Sequence, residues 1–217
     1  MLLFSLLKLL LSNPIQFVFA IIILFGPLLI SITVHEWSHG FTAHIFGDPT
    51  PKKQGRLSLN PFKHLDPVGT LMLFLIGIGW AKPVEINPGY ISYRFKNLKL
   101  MLIALAGPLS NFLMGSFFTF LLFIFAENIF VALLLSLIIR VNFVLGFFNL
   151  IPIPPLDGAN IIANLLPEKF SRIYFKISPY SIPILLILII SGGIDIIYNL
   201  AENFQKFLII MLQAHYH

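Results

Sequence analysis

The chain has 217 residues, 58% of them hydrophobic and only 11% charged, with a mean hydropathy of +0.91. Ordinary soluble domains carry roughly 25% charged residues, so a soluble fold would have to bury nearly every segment, and a polytopic membrane protein is the simpler reading. The net charge of +5 falls on basic clusters between apolar runs, which is a topological signal rather than a nucleic-acid-binding one, and the absence of cysteine excludes a disulfide framework and a thiolate metal site.

In chain order, residues 1–13 are apolar around Lys8 and resemble a signal peptide. No small-x-small cleavage pattern follows, so they read as a retained anchor or interfacial helix. A long helix is expected to start near Pro14, a favourable first-turn proline, and to run to about Ile45, where Gly47-Asp48-Pro49 ends it. Residues 15–34 within it carry no charge, enough for a bilayer span of about 20 residues. Residues 48–66 and 82–92 are rich in proline, glycine and asparagine, and pieces such as 55–59 and 83–86 alternate like short strands. A strand edge there could take an extended peptide by backbone hydrogen bonding. Between them, 67–81 is too short for a full crossing and reads as a re-entrant or interfacial element. Further apolar runs occupy 100–126, 129–151 (interrupted by Arg140 and Asn142), 181–194 and 196–212.

The basic residues cluster as Lys52, Lys53, Arg56 and Lys63, then Lys82, Arg94, Lys96 and Lys99, then Lys169, Arg172 and Lys176. Such clusters mark cytoplasmic loops or lipid headgroup contacts. No polar stretch is long enough to fold separately. The expectation is therefore one integral-membrane domain over 1–217: an all-α transmembrane bundle with a small strand or re-entrant element, within residues 48–92, beside its active site.

The chemistry lies in His35-Glu36-Trp37-Ser38-His39. Two histidines four apart share one face of a helix, and the glutamate between them projects beside the site they make. Two imidazoles hold Zn²⁺ and the carboxylate serves as base for an activated water. A catalytic zinc needs a third protein ligand, and Asp157 is the best candidate. It follows Pro152, Pro154 and Pro155 and precedes Gly158, at the end of an apolar run. Broken backbone at membrane depth is tolerated only beside protein or a water-filled cavity, and an ionisable residue there is a functional candidate. The bland alternative is that Asp157 caps a helix over 158–166; beside a HExxH at similar depth, the ligand reading is favoured. Asp66, His64 and Asp195 read as caps or rim contacts. His44 lies about 140° round the helix from His39, and His215 and His217 sit in the tail.

These pieces together resemble the site-2 proteases, intramembrane zinc metalloproteases of peptidase family M50, and specifically a small bacterial member without PDZ domains. The similarity is carried by the HExxH at 35–39, by the stretches 47–51, 55–61 and 64–70, by Trp80-Ala81-Lys82-Pro83-Val84, by Ala106-Gly107-Pro108-Leu109-Ser110-Asn111, and by Asn149 to Gly158, which is similar to an NxxPxxPLDG motif. The resemblance implies that His35, His39 and Asp157 bind one zinc per chain and that Glu36 is the general base and then the acid for the leaving amine. It also places Asn149 where substrate backbone is engaged; otherwise Asn149 reads as interhelical glue. The implied partners are a transmembrane protein or peptide substrate and the lipid bilayer, in a multi-pass protein of the bacterial cytoplasmic membrane. Some site-2 proteases carry a further complete span before the HExxH helix. Here only residues 1–13 precede it, so a gate is not inferred by analogy.

Gly107, Ser110, Asn111 and Gly115 have the spacing of close helix packing. Arg140 admits three readings: snorkelling, pairing with Glu127, or lining a water path. Rival functions are a membrane zinc hydrolase acting on lipid or prenylated peptide, a metal or ion transporter using intramembrane His and Asp, and a catalytically silent scaffold.

Overall fold

The structure is a computed structural model that describes residues 8–76 and 79–216. The long first helix, α1, spans Pro14–Ile45. Its start follows the sequence signals: Pro14 stands in the first turn and Asn13 caps it, accepting from Gln16 N at 3.1 Å. Gly47, at φ 104°, turns the chain out of it. After the single turn α2 (Thr50–Lys53) and a 3₁₀ turn at Pro61–Lys63 comes the short apolar α3 (Pro67–Ile76). Two long helices follow, α4 (Lys96–Phe125) and α5 (Ile129–Asn149), then α6 (Asp157–Leu165), α7 (Glu168–Tyr174), α8 (Ser181–Leu188) and α9 (Ile194–Tyr216).

Helix α4 is the hub, packing against α1, α5, α6 and α9. Where α4, α5 and α9 meet, Phe112, Phe143, Phe147 and Phe204 pack edge to face around Leu135 and Ile139. Pro14–Ile45, Lys96–Phe125, Ile129–Asn149 and the continuous run Glu168–Ala214 are long and apolar enough to cross a membrane. The expected runs 181–194 and 196–212 are thus parts of one helical run, broken by a kink at Gly192. Arg140 does not meet Glu127; it lines a small cavity with Tyr198 and Glu202 of α9. The described part of the expected N-terminal element, residues 8–12, is helical; residues 1–7 lie outside the described residues.

The expected strands are not formed. Among the described residues the only pairing in this region is an isolated antiparallel bridge, Leu65 to Ala81. Prolines 61, 83 and 88 remove ladder donors, and side chains take the neighbouring amides instead. Val84 N donates to Glu36 at 2.9 Å, Asn87 N to the buried Asp48 at 2.7 Å, and Asn60 N to Ser58 at 3.2 Å. Asp48 also accepts from Thr50 N at 2.9 Å, which ties the loop after α1 to the extended segment 82–88. The bridge brings the two ends of 67–81 together, so the chain leaves and returns at one place; residues 77 and 78 within this excursion lie outside the described residues.

Candidate metal centre and catalytic cleft

Helix α1 brings His35 and His39 onto one buried face, with their Nε2 atoms 3.1 Å apart. Each ring is fixed from behind. His35 Nδ1 lies 2.6 Å from Asn111 Oδ1, and Asn111 spends its Nδ2 on Asn142 Oδ1 at 3.1 Å and Ser31 O at 3.4 Å. The asparagine oxygen is therefore the acceptor and the His35 ring must donate from Nδ1. His39 Nδ1 lies 2.7 Å from the Ile103 carbonyl, which only accepts. Both rings thus carry hydrogen on Nδ1 and present Nε2 as a candidate ligand atom.

Asp157 supplies the third. Between α5 and α6 the chain passes through Pro152, Pro154 and Pro155, the last two joined by a cis peptide. Asp157 opens α6 but makes no side-chain cap, which disposes of the capping alternative. Its Oδ2 points at the histidines instead, 3.1 Å from His35 Nε2 and 3.3 Å from His39 Nε2, and has no hydrogen-bond donor of its own. Three candidate ligand atoms thus converge within reach of one cation.

Two glycines make the convergence possible. A Cβ on Gly107 of α4 would lie 2.2 Å from His39 Nε2 and 2.6 Å from His35 Nε2, so no larger residue fits against the two rings as they stand. A Cβ on Gly158 would lie 2.2 Å from the Leu150 carbonyl oxygen and 2.5 Å from that of Ile151. The first turn of α6 is therefore seated directly on the end of α5, and that seating aims Asp157. The donor set of two imidazoles and one carboxylate, with a side left open, matches a catalytic zinc site.

Glu36 stands beside the site, its Oε2 accepting from Val84 N and its Oε1 left uncommitted. His35, Glu36, His39, Asn149 and Asp157 all line one cleft of about 400 Å³, so the sequence-expected residues are brought together. Asn149 Nδ2 donates back to Leu145 O at 3.1 Å. The rejected candidates stay apart: Asp66 caps α3 through Gly69 N at 2.7 Å, and His64 Nε2 is bound to Ser58 O at 2.8 Å. Neither these nor His44 and Asp195 line the cleft. The side chain of His215, and all of His217, lie outside the described residues.

Sequence comparison gives this geometry its family. The profile of peptidase family M50 matches residues 125–192. The chain is 38% identical over 173 residues to "Putative zinc metalloprotease YwhC" of Bacillus subtilis, covering 76% of this chain and 78% of that protein. This chain belongs to peptidase family M50. It is also 28% identical over 196 residues to Rip2 of Mycolicibacterium smegmatis, named in the same way (84% of this chain, 72% of the relative). It is 28% identical over 148 residues to "Zinc metalloprotease MJ0392" of Methanocaldococcus jannaschii (68% of this chain, 35% of the relative). No solved structure matches the chain significantly. Zinc, the metal expected from the HExxH, is the metal in these relatives' names and suits the N, N, O donor set here.

In this M50 peptidase three features of the site were not assigned from sequence. Asn111, read as packing, orients His35; Gly107, read likewise, leaves the room at the ligand atoms; and the Ile103 carbonyl orients His39. The motif Ala106–Asn111 carried two of them, but the spacing of small residues on a helix signals packing and site-building alike. Asn160 and Asn164 of α6, which also line the cleft, were not singled out at all.

Proposed function

We propose that this chain is an intramembrane zinc metalloprotease that hydrolyses peptide bonds within or next to transmembrane segments, with His35, His39 and Asp157 as metal ligands and Glu36 as general base. The observation that carries the reading is the convergence of three candidate ligand atoms beside a carboxylate, at the end of a helix fit to span a bilayer. When bound there, zinc supplies Lewis-acid polarisation of the scissile carbonyl and brings the pKa of water toward about 7. Glu36 does the proton work. Its Oε1 takes the proton of the attacking water and then delivers it to the departing amide nitrogen, while Oε2 stays fixed by Val84. Asn111 and the Ile103 carbonyl hold the imidazoles in one tautomer, a restraint worth tenfold to a hundredfold in metal affinity or activity in comparable sites.

A helical substrate exposes no scissile carbonyl until its own hydrogen bonds break, and something must take up the freed groups. Asn149 at the cleft is one partner, since an amide both donates and accepts. The excursion 67–81 is read as re-entrant: α3 has 10 residues, about 15 Å of helix, roughly half a bilayer core. The whole chain is read as a single domain in the bacterial cytoplasmic membrane, with a single-span membrane protein as substrate.

The decisive experiment compares wild type with Glu36→Gln on a panel of single-span substrates in liposomes, with zinc measured in both. Cleavage by wild type alone, with equal zinc, is the expected outcome. Equal cleavage by both proteins would overturn the assignment of Glu36. Ion flux that survives Glu36→Gln, without cleavage, would replace the protease by a transporter.

A further inference from the structure

The cleft has a wall that the mechanism above leaves unused. Helix α6 carries Asp157, Asn160 and Asn164, three and then four residues apart, so all three lie along one stripe. That stripe faces the cleft, and across it run Pro83, Val84 and Ile86 of the extended segment. Asparagine is among the poorer helix formers, and lysine or glutamate would serve a merely solvated face better. Yet α6, only nine residues long, places two asparagines on the cleft stripe. Asn164 Nδ2 donates to the Asn160 carbonyl at 2.8 Å, which steadies its amide against the helix and leaves Oδ1 and one N–H free. Among the described residues the Asn160 amide makes no hydrogen bond.

The spacing fits one kind of ligand. Residues four apart on a helix are separated by about 6 Å of rise, and alternate residues of an extended chain repeat every 6.6 Å or so. An extended peptide lying between α6 and segment 83–88 would therefore meet both amides with backbone groups of the same side. Each amide can accept from a peptide N–H and donate to a peptide carbonyl.

We propose that Asn160 and Asn164 are positioning residues that bind the backbone of the unwound substrate as an extended strand on one side of the scissile bond. This rests on the protease reading and deepens it by naming what the cleft recognises: peptide amide groups, not side chains. Asn164 lies seven residues, about 10 Å of helix rise, beyond the ligand Asp157, so its contact falls about three residues from the scissile bond. Substrate choice then follows the ease with which a helix unwinds over that length.

The test uses the full-length protein in liposomes and a set of single-span substrates shortened stepwise on either side of the cleavage site. For N160A/N164A the expected result is a KM raised tenfold or more, kcat within threefold of wild type and zinc content unchanged. The defect should vanish for substrates with fewer than about three residues on one side, and N160Q/N164Q should recover part of it. An unchanged KM, or a penalty equal at every substrate length, would overturn the proposal. If the alanine variant loses zinc, N160S/N164S takes its place in the same comparison. Failure of the protease reading shows separately, as absence of cleavage by wild type. In that event, peptide binding to Glu36→Gln with and without N160A/N164A decides the role of the pair, equal affinity being the negative result.

Discussion

At the scale of single residues, Gly107 makes the sharpest prediction. An alanine there puts a methyl group among the His35 and His39 Nε2 atoms, where the metal belongs, while improving the intrinsic helix propensity of α4. Gly107→Ala should therefore crowd the two rings, lowering the Tm, and lose zinc, as measured by metal analysis of the purified protein; full zinc content in this variant would contradict the placement of the site. Asn111→Leu tests the support behind His35. It removes the acceptor for Nδ1 and leaves Asn142 Oδ1 without its donor, so zinc affinity should fall about tenfold to a hundredfold. Competition against a chelator of known affinity would read that change. The contrast between the two halves of the site explains what was legible. His35, Glu36 and His39 form a contiguous motif whose chemistry is visible in any helix. Gly107 and Asn111 acquire their roles only when α4 lies against α1, and no local pattern distinguishes that from ordinary close packing.

At the scale of elements, the seating of α6 on α5 is the critical joint. Replacing Gly158 by alanine sets a Cβ against two carbonyl oxygens that end α5, and neither is a flexible group that can move aside. The first turn of α6 must lift, taking Asp157 with it. Gly158→Ala should cost roughly 1–3 kcal/mol of stability, as overpacking does, and weaken zinc binding, readable as a lowered Tm together with partial metal occupancy. Element boundaries followed the sequence where side-chain chemistry set them: α1 begins at the proline expected, with Asn13 found as its cap, and ends at Ile45. The strands expected over 55–59 and 83–86 failed for a physical reason. Alternation describes which way side chains point, but a ladder also needs free backbone donors: in 83–86 Pro83 has none and Val84 N goes to Glu36, while Gly55 N and Arg56 N close the turn after α2.

At the scale of the molecule, the proposed metal centre would join three elements: α1 through its histidines, α6 through Asp157, and α4 through Asn111 and the Ile103 carbonyl. A ligand that binds only the folded arrangement stabilises it in proportion to the logarithm of its free concentration over its dissociation constant. Stripping the metal with a chelator should lower the Tm by several degrees, and restoring zinc should recover it. Acid should act in the same direction, because protons compete for the same three lone pairs and zinc binding is lost as pH falls. Zinc retention at pH 7.5 against pH 5 checks the sign. The spans containing 15–34, 100–126 and 129–151 were readable from hydropathy alone, whereas 181–194 and 196–212 are parts of a single run. The arrangement of these helices around α4 was not readable, since helices that are apolar all round give no sign of which face meets a neighbour.

In the four membrane-fit helical runs, no more than 28% of the most apolar window is buried inside the protein. Most of each helix therefore meets whatever fluid surrounds it, and that fluid is a component of the folded object in the same sense as the aromatic cluster is. Thickness, chain order and lateral pressure of the bilayer act directly on the angle between α4 and its neighbours, and through it on the metal ligands. Rate constants obtained in a micelle and in a native membrane should therefore differ, because so much of each apolar run faces the surrounding fluid.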